Sequence, residues 1–166
     1  YKEIIEYSRV MFPRKTGGLW WSLIDMWPML FNVSVIDCDY KRKLPYYWIR
    51  QAQQDFVIVG VRKELNGELA LYAVNNTLNV HKVEYTVTAY DENCDSRQIA
   101  AGIAEQKENS SDMIQRIAEP EQPQLWIIKW EENGEKYMNH VLTKMPEFKT
   151  AKKWVKIIEE NDCYGN

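Results

Sequence analysis

Cysteine is scarce and widely spaced in this chain: the 166 residues hold three, Cys38, Cys94 and Cys163, with no Cys-x-x-Cys element. An odd, scattered set excludes a disulfide framework and a structural zinc site, and leaves room for one disulfide at most. Histidine is scarcer still, with only His81 and His140. Neither has the companions that a Ser-His-Asp system or a histidine metal site needs, so both read as strand residues with satisfied rings. No apolar run approaches the ~20 residues of a membrane helix, and there is no internal repeat or low-complexity segment. No charge sign dominates either, since 21 basic residues interleave with 24 acidic ones for a net charge of -3. That balance leaves no nucleic-acid footprint, and the densest basic clusters, Lys41-Arg42-Lys43 and Lys152-Lys153, read as solvated faces. The sequence calls for no cofactor, no metal, no nucleic acid and no membrane.

What is abundant is tryptophan in one place. Gly17-Gly18-Leu19-Trp20-Trp21-Ser22-Leu23-Ile24-Asp25-Met26-Trp27-Pro28 gathers three indoles and one carboxylate. Burying an indole is costly unless its N–H finds a partner, so the stretch marks either a crowded core or a sugar-sized aromatic platform.

The rest of the chain divides by period. Residues 1–12 carry Ile4, Ile5, Tyr7 and Met11 in a loose 3.6-residue pattern ended by Pro13, which predicts a helix. Leu19 to Ile24 is nearly all apolar, the signature of a parallel strand covered on both faces. Tyr46 to Gln54 reads as a helix, with Pro45 tolerated in its first turn.

After Asp55 the period falls to 2, and seven strands follow: 56–61, 68–75, 83–90, 97–104, 112–118, 125–130 and 136–142. Asn66-Gly67 and Asn133-Gly134 are hairpin signals, because both residues of such turns take φ > 0. Val83, Tyr85, Val87 and Ala89 alternate with Glu84, Thr86 and Thr88, as in an antiparallel sheet buried on one side. Seven strands with frequent turns predict an immunoglobulin-like β-sandwich, although no Cys pair with a central Trp marks an antibody-type domain. The tail, 148–159, reads as a helix with Phe148, Ala151, Val155 and Ile158 on one apolar stripe.

The order of these features resembles the close of the catalytic barrel in glycoside hydrolase family 2, most closely its β-mannosidase-like branch. There a strand of the form Leu-x-Trp-Gln-Leu-Asn-Asp-x-Trp-Pro leads to Ile-Asp-Tyr and Pro-Lys-x-x-Tyr-Tyr. The counterparts here are the tryptophan stretch, Ile36-Asp37 and Pro45-Tyr46-Tyr47. Asn139-His140, then Met145-Pro146-Glu147-Phe148 and a helix with Trp154, are similar to that branch's C-terminal end.

The resemblance implies a mainly β chain in three parts: residues 1–54 as the last helix, strand and helix of a (β/α)8 barrel, 55–147 as the sandwich, and 148–166 as a closing helix. A whole barrel needs roughly 250 residues, so only its last piece fits here. It also implies a parent that is a retaining exo-β-glycosidase of carbohydrate catabolism, secreted, periplasmic or lysosomal, with any secretion signal upstream.

Retaining hydrolysis uses two carboxyl groups about 5 Å apart. In the resembled family both are glutamates on earlier barrel strands, and no glutamate here matches either, so no catalytic residue is expected in this chain. What it would supply is part of the sugar pocket: Trp21 as the aromatic floor, with Asp25 and Trp27 on the rim at the carboxyl end of the strand. Trp20 and Trp27 read more readily as core anchors under the loop, and Trp21 equally as pocket or core.

Ser22 and Ile24 stand where the family pattern has Gln and Asn, so two amides that could pair sugar hydroxyls are gone. That change points to a sugar other than mannose. Asn139-His140 is expected to tie the last strand to the tail helix. The implied partners are a carbohydrate substrate in the intact enzyme and the remainder of the barrel, and an exposed strand edge predisposes the isolated chain to self-association. The alternative from another class is a stand-alone immunoglobulin-like module that binds a glycan or a protein, which would need neither strand 19–24 nor two preceding helices.

Overall fold

The computed structural model describes residues 1–29, 33–62 and 68–162. The chain divides into two compact units, Tyr1–Gln54 and Asp55–Asn166.

The first unit holds two helices, α1 (Lys2–Val10) and α2 (Leu44–Ala52). Pro45 sits in the first turn of α2, where its missing N–H costs nothing. α1 buries an unexpected face: Lys2, Glu6 and Val10 are inside, while Ile4 is exposed. Lys2 and Glu6 are tolerated there because they pair at 2.7 Å, one turn apart on the same face.

Strand 19–24 does not form. Its only ladder element is a single parallel bridge between Ile24 and Ile36, and Leu19, Trp21 and Leu23 are exposed. A buried parallel strand needs partners along its length, and among the described residues the Ile36 segment alone offers one.

The second unit contains seven strands, β1 (Phe56–Val61), β2 (Glu68–Asn75), β3 (His81–Tyr90), β4 (Ser96–Gln106), β5 (Ser110–Ala118), β6 (Leu125–Glu132) and β7 (Glu135–Leu142), and then helix α3 (Phe148–Asn161). They form two antiparallel sheets, β1-β2-β5 and β4-β3-β6-β7. This is a mainly β architecture that fits a β-sandwich.

Val83, Tyr85, Val87 and Ala89 are buried and Glu84 and Thr86 exposed, so the period-2 reading of β3 holds. β2 is buried on both faces from Leu69 to Asn75. Asn133 and Gly134 both have positive φ, 53° and 81°, and close the β6–β7 hairpin between the paired Glu132 and Glu135. The other Asn-Gly pair, Asn66-Gly67, lies outside the described residues, as does Cys163. Cys38 and Cys94 are free thiols.

The two sheets meet at their edges through β1 and β7. The Asn139 side chain donates to the Ile58 carbonyl at 2.9 Å, and a Cβ on Gly60 would lie 2.7 Å from Val141 Cγ2. Glycine at 60 is therefore a close-approach residue. This bond of Asn139 crosses the sandwich.

α3 buries Ile158 as its sequence suggested, with Ala151 and Val155 half-buried, but the rest of its buried stripe is different. Thr150, Trp154 and Ile158 are inside, and Phe148 is 77% exposed. Trp154 fixes the rotation, because its indole N–H donates to the Asp91 carbonyl in the β3–β4 loop at 3.0 Å and satisfies the buried donor.

Candidate functional site

The tryptophan stretch is held by a small polar core within the first unit. Backbone bonds tie it to residues 35 and 36: Val35 and Ile36 N–H donate to the Leu23 carbonyl at 3.2 and 3.0 Å, and Asp25 N–H donates to the Ile36 carbonyl at 3.0 Å. The chain then turns through 37–41, where the Asp37 carboxylate accepts the N–H groups of Asp39 and Lys41 at 2.9 and 2.8 Å. Tyr40 takes the left-handed conformation, φ 63°, inside this turn. The return brings Lys43 N–H onto the Val35 carbonyl at 2.9 Å.

That path delivers Lys43 to Asp25. Asp25 is 4% exposed, and its carboxylate takes the Lys43 ammonium at 2.5 Å and the Ser34 hydroxyl on its other oxygen. Lys43 also donates to Ser34 Oγ at 2.8 Å, and Ser34 lies 3.1 Å from the Ile36 carbonyl. A buried carboxylate needs such compensation, and here a cation and a hydroxyl provide it.

Sequence reading missed Lys43 by grouping it with a solvated cluster. Its neighbour Lys41 does remain in solvent, paired loosely with Asp39 at 3.8 Å. The signal that separates them is the turn geometry of Asp37, which reverses the chain and points residue 43 back to the stretch.

Tyr1 makes a second support. Its hydroxyl lies 2.9 Å from the Trp21 carbonyl and 2.7 Å from the Val33 carbonyl, and its ring sits 6.0 Å from that of Trp20. The backbone of Trp21 is thereby fixed while its side chain is 85% exposed; Trp27 is also exposed, at 57%. Trp20 is half-buried. The reading of Trp20 and Trp27 as core anchors is therefore corrected: neither is buried. Of the three residues expected at a sugar pocket, two present aromatic faces and the third, Asp25, is engaged inside the unit.

Among the described residues no group of three or more His, Cys, Asp and Glu side chains is placed to hold a metal ion. None of the described helices is long and apolar enough to cross a membrane. His81 and His140 behave as strand residues: His140 is buried, and both ring nitrogens of His81 have partners. On the sandwich, a wide groove of about 680 Å³ is lined by Glu84, Ile103, Lys129, Glu131 and Lys136 with Tyr137. Both signs of charge are among its lining residues.

No protein-family model and no curated protein sequence matches the chain. A solved structure does. It is the β-D-mannosidase of Dictyoglomus thermophilum, with a TM-score of 0.67 and 21% identity over 84% of this chain. The match covers 17% of that protein, so the chain spans about a sixth of the length of the enzyme it is similar to. At this identity the likeness is one of fold.

Proposed function

We propose that this chain is the C-terminal portion of a retaining exo-β-glycosidase of glycoside hydrolase family 2, β-mannosidase-like, acting in carbohydrate catabolism. In this reading residues 1–54 close a (β/α)8 barrel, residues 55–147 are an immunoglobulin-like sandwich that braces it, and residues 148–166 form the closing helix and tail. The sheet order supports the immunoglobulin-like label, since β1-β2-β5 and β4-β3-β6-β7 correspond to A-B-E and C′-C-F-G. The two catalytic glutamates belong to earlier barrel strands, outside these residues.

The observation that carries the proposal is the surface of Tyr1–Gln54. Leu19, Trp21, Leu23, Met26 and Trp27 are all exposed in one short stretch whose backbone is nonetheless fixed by Tyr1, Val35 and Ile36. Apolar side chains held rigidly in solvent mark a surface built to be covered or to bind. The remainder of a barrel would cover Leu19 and Leu23. Trp21 and Trp27 would wall the sugar pocket, the apolar face of a pyranose resting on Trp21. Asp25 would serve the pocket by holding the backbone between the two indoles through Lys43 and Ser34. A stand-alone module gives this surface no role.

The test is enzymatic. The 166-residue chain is expected to hydrolyse no aryl mannoside, galactoside or glucuronide, whereas the same chain joined to its upstream sequence hydrolyses one of them. Turnover by the chain alone that disappears in Asp25→Asn would overturn the proposal and make Asp25 catalytic.

A further inference from the structure

Helix α3 buries Thr150, Trp154 and Ile158, and the helical period puts a charged stripe on the opposite side. Phe148 heads that stripe, Lys149, Lys152, Lys153 and Lys156 follow, and all five side chains are exposed. Glu159 and Glu160 come last and are exposed as well.

This order of charges works against the helix itself. Lys149 stands in the first turn, where the macrodipole is already positive, and Glu159 and Glu160 stand in the last, where it is negative. Lys149 and Lys153, and likewise Lys152 and Lys156, are like charges four positions apart on one face, and they repel. Among the described residues no carboxylate pairs with any of the four ammonium groups. Local stability therefore gives no reason for the stripe, and a counter-charge from outside the chain does.

The form of the stripe narrows the counter-charge. The lysines run along the helix over roughly 10 Å. Ammonium groups on long stems are compact point charges, without the rigid fork that selects one planar anion, so a row of them suits a repeating charge. Phe148 is 77% exposed, and the Lys152 ammonium lies 4.7 Å from its ring centroid. The rest of that ring is aromatic surface on which the apolar face of a pyranose can lie, with a cation already beside it. A bilayer fits less well. An interfacial helix sinks its apolar face among the headgroups, and that face of α3 is inside, with the Trp154 indole bonded to the Asp91 carbonyl.

We propose that the outer face of α3 is a docking surface for an acidic polysaccharide, with Lys149, Lys152, Lys153 and Lys156 against successive carboxylates and Phe148 under one sugar ring. The choice of a saccharide among polyanions rests on the glycosidase reading above; the charge pattern does not. A row of unpaired cations of this kind raises the local concentration of such a polymer around the protein.

The test is binding by the 166-residue chain and involves no turnover, so it fails or succeeds separately from the glycosidase reading. Polygalacturonate is the acidic probe and glucomannan the neutral one. The chain should bind polygalacturonate at low ionic strength, bind glucomannan at least tenfold more weakly, and lose the former as salt is raised, as release of counterions requires. Lys149→Gln/Lys152→Gln/Lys153→Gln/Lys156→Gln should weaken polygalacturonate binding at least tenfold, and Phe148→Ala should weaken it by a smaller factor. The fourfold variant should melt no lower than wild type, because it removes two repelling pairs; a lower melting temperature would give the lysines a structural task and overturn the argument. Unchanged binding in that variant, or no binding by wild type at low salt, would overturn the docking surface. Tighter lysine-dependent binding to phosphatidylglycerol vesicles or to oligothymidylate than to polygalacturonate would overturn the saccharide.

Discussion

Asn139 and Ile58 lie 81 positions apart in sequence, yet the side-chain amide of one donates to the carbonyl of the other at 2.9 Å, joining β7 of the four-stranded sheet to β1 of the three-stranded sheet. Asn139 Oδ1 meanwhile accepts His140 N–H at 2.8 Å, so one fully buried amide serves two buried backbone groups. Replacing Asn139 by Leu keeps the volume and leaves both groups without this partner. The expected cost is about 1–3 kcal/mol for each unpaired group, read as a lower midpoint in urea unfolding with an unchanged m-value. A midpoint equal to wild type would show that the cross-sheet bond contributes nothing net.

Lys43 should be worth far more than a surface lysine. Lys43→Met takes the cation from one oxygen of the buried Asp25 carboxylate and leaves the Ser34 hydroxyl on the other, and breaking a buried pair from one side typically costs about 3–5 kcal/mol. Because Lys43 keeps partial solvent access, the lower end applies. Limited proteolysis between residues 17 and 43 should accelerate in Lys43→Met and slow again in Lys43→Met/Asp25→Leu, where both charges are gone. Equal cleavage of all three proteins would contradict the role given to the pair.

Acid should weaken the sandwich through Glu119. The hydrogen bond from Arg62, 2.9 Å from Nε to Oε2, is the main cause that holds the Glu119 pKa below its ordinary value of 4.5. A depressed carboxylate pKa contributes stability above the unfolded value and loses it as pH falls through the folded one. Stability measured downward from pH 5 should therefore fall less steeply in Glu119→Gln than in wild type. Parallel curves would remove Glu119 from the acid limb.

The exposed side chains of the first unit predict association of the isolated chain. Sedimentation at increasing concentration should show dimers and larger species, and Leu19→Lys/Leu23→Lys should suppress them without changing the far-ultraviolet dichroism. A chain that remains monomeric at high concentration would count against an uncovered barrel surface.

Strands were legible where one rule decided them. The alternation of Val83, Tyr85, Val87 and Ala89 needs only a sheet with one face inside, and Asn133-Gly134 needs only two positive φ angles. Segments whose conformation depends on distant neighbours were not legible. Leu19 to Ile24 has strand composition, but composition cannot supply a second strand to pair with. On α3, Phe148 and Val155 fit an apolar stripe as well as Trp154 does. The Asp91 carbonyl that accepts the indole proton, and so turns the helix, lies 63 positions away. At the candidate site Trp21, Asp25 and Trp27 stood out by residue type, whereas Ser34 and Lys43 are joined to Asp25 only by the turn at Asp37.

The most direct measurement is Trp21→Ala in the protein with its upstream sequence, reading kcat/KM on its aryl glycoside and the melting temperature together. If the exposed indole is the floor of a sugar pocket, truncation removes transition-state binding of about 2–4 kcal/mol, a loss of roughly 30- to 1000-fold in kcat/KM, while the melting temperature hardly changes. A melting temperature lowered by many degrees with near-normal kcat/KM in the folded fraction would make Trp21 a packing residue and contradict the account.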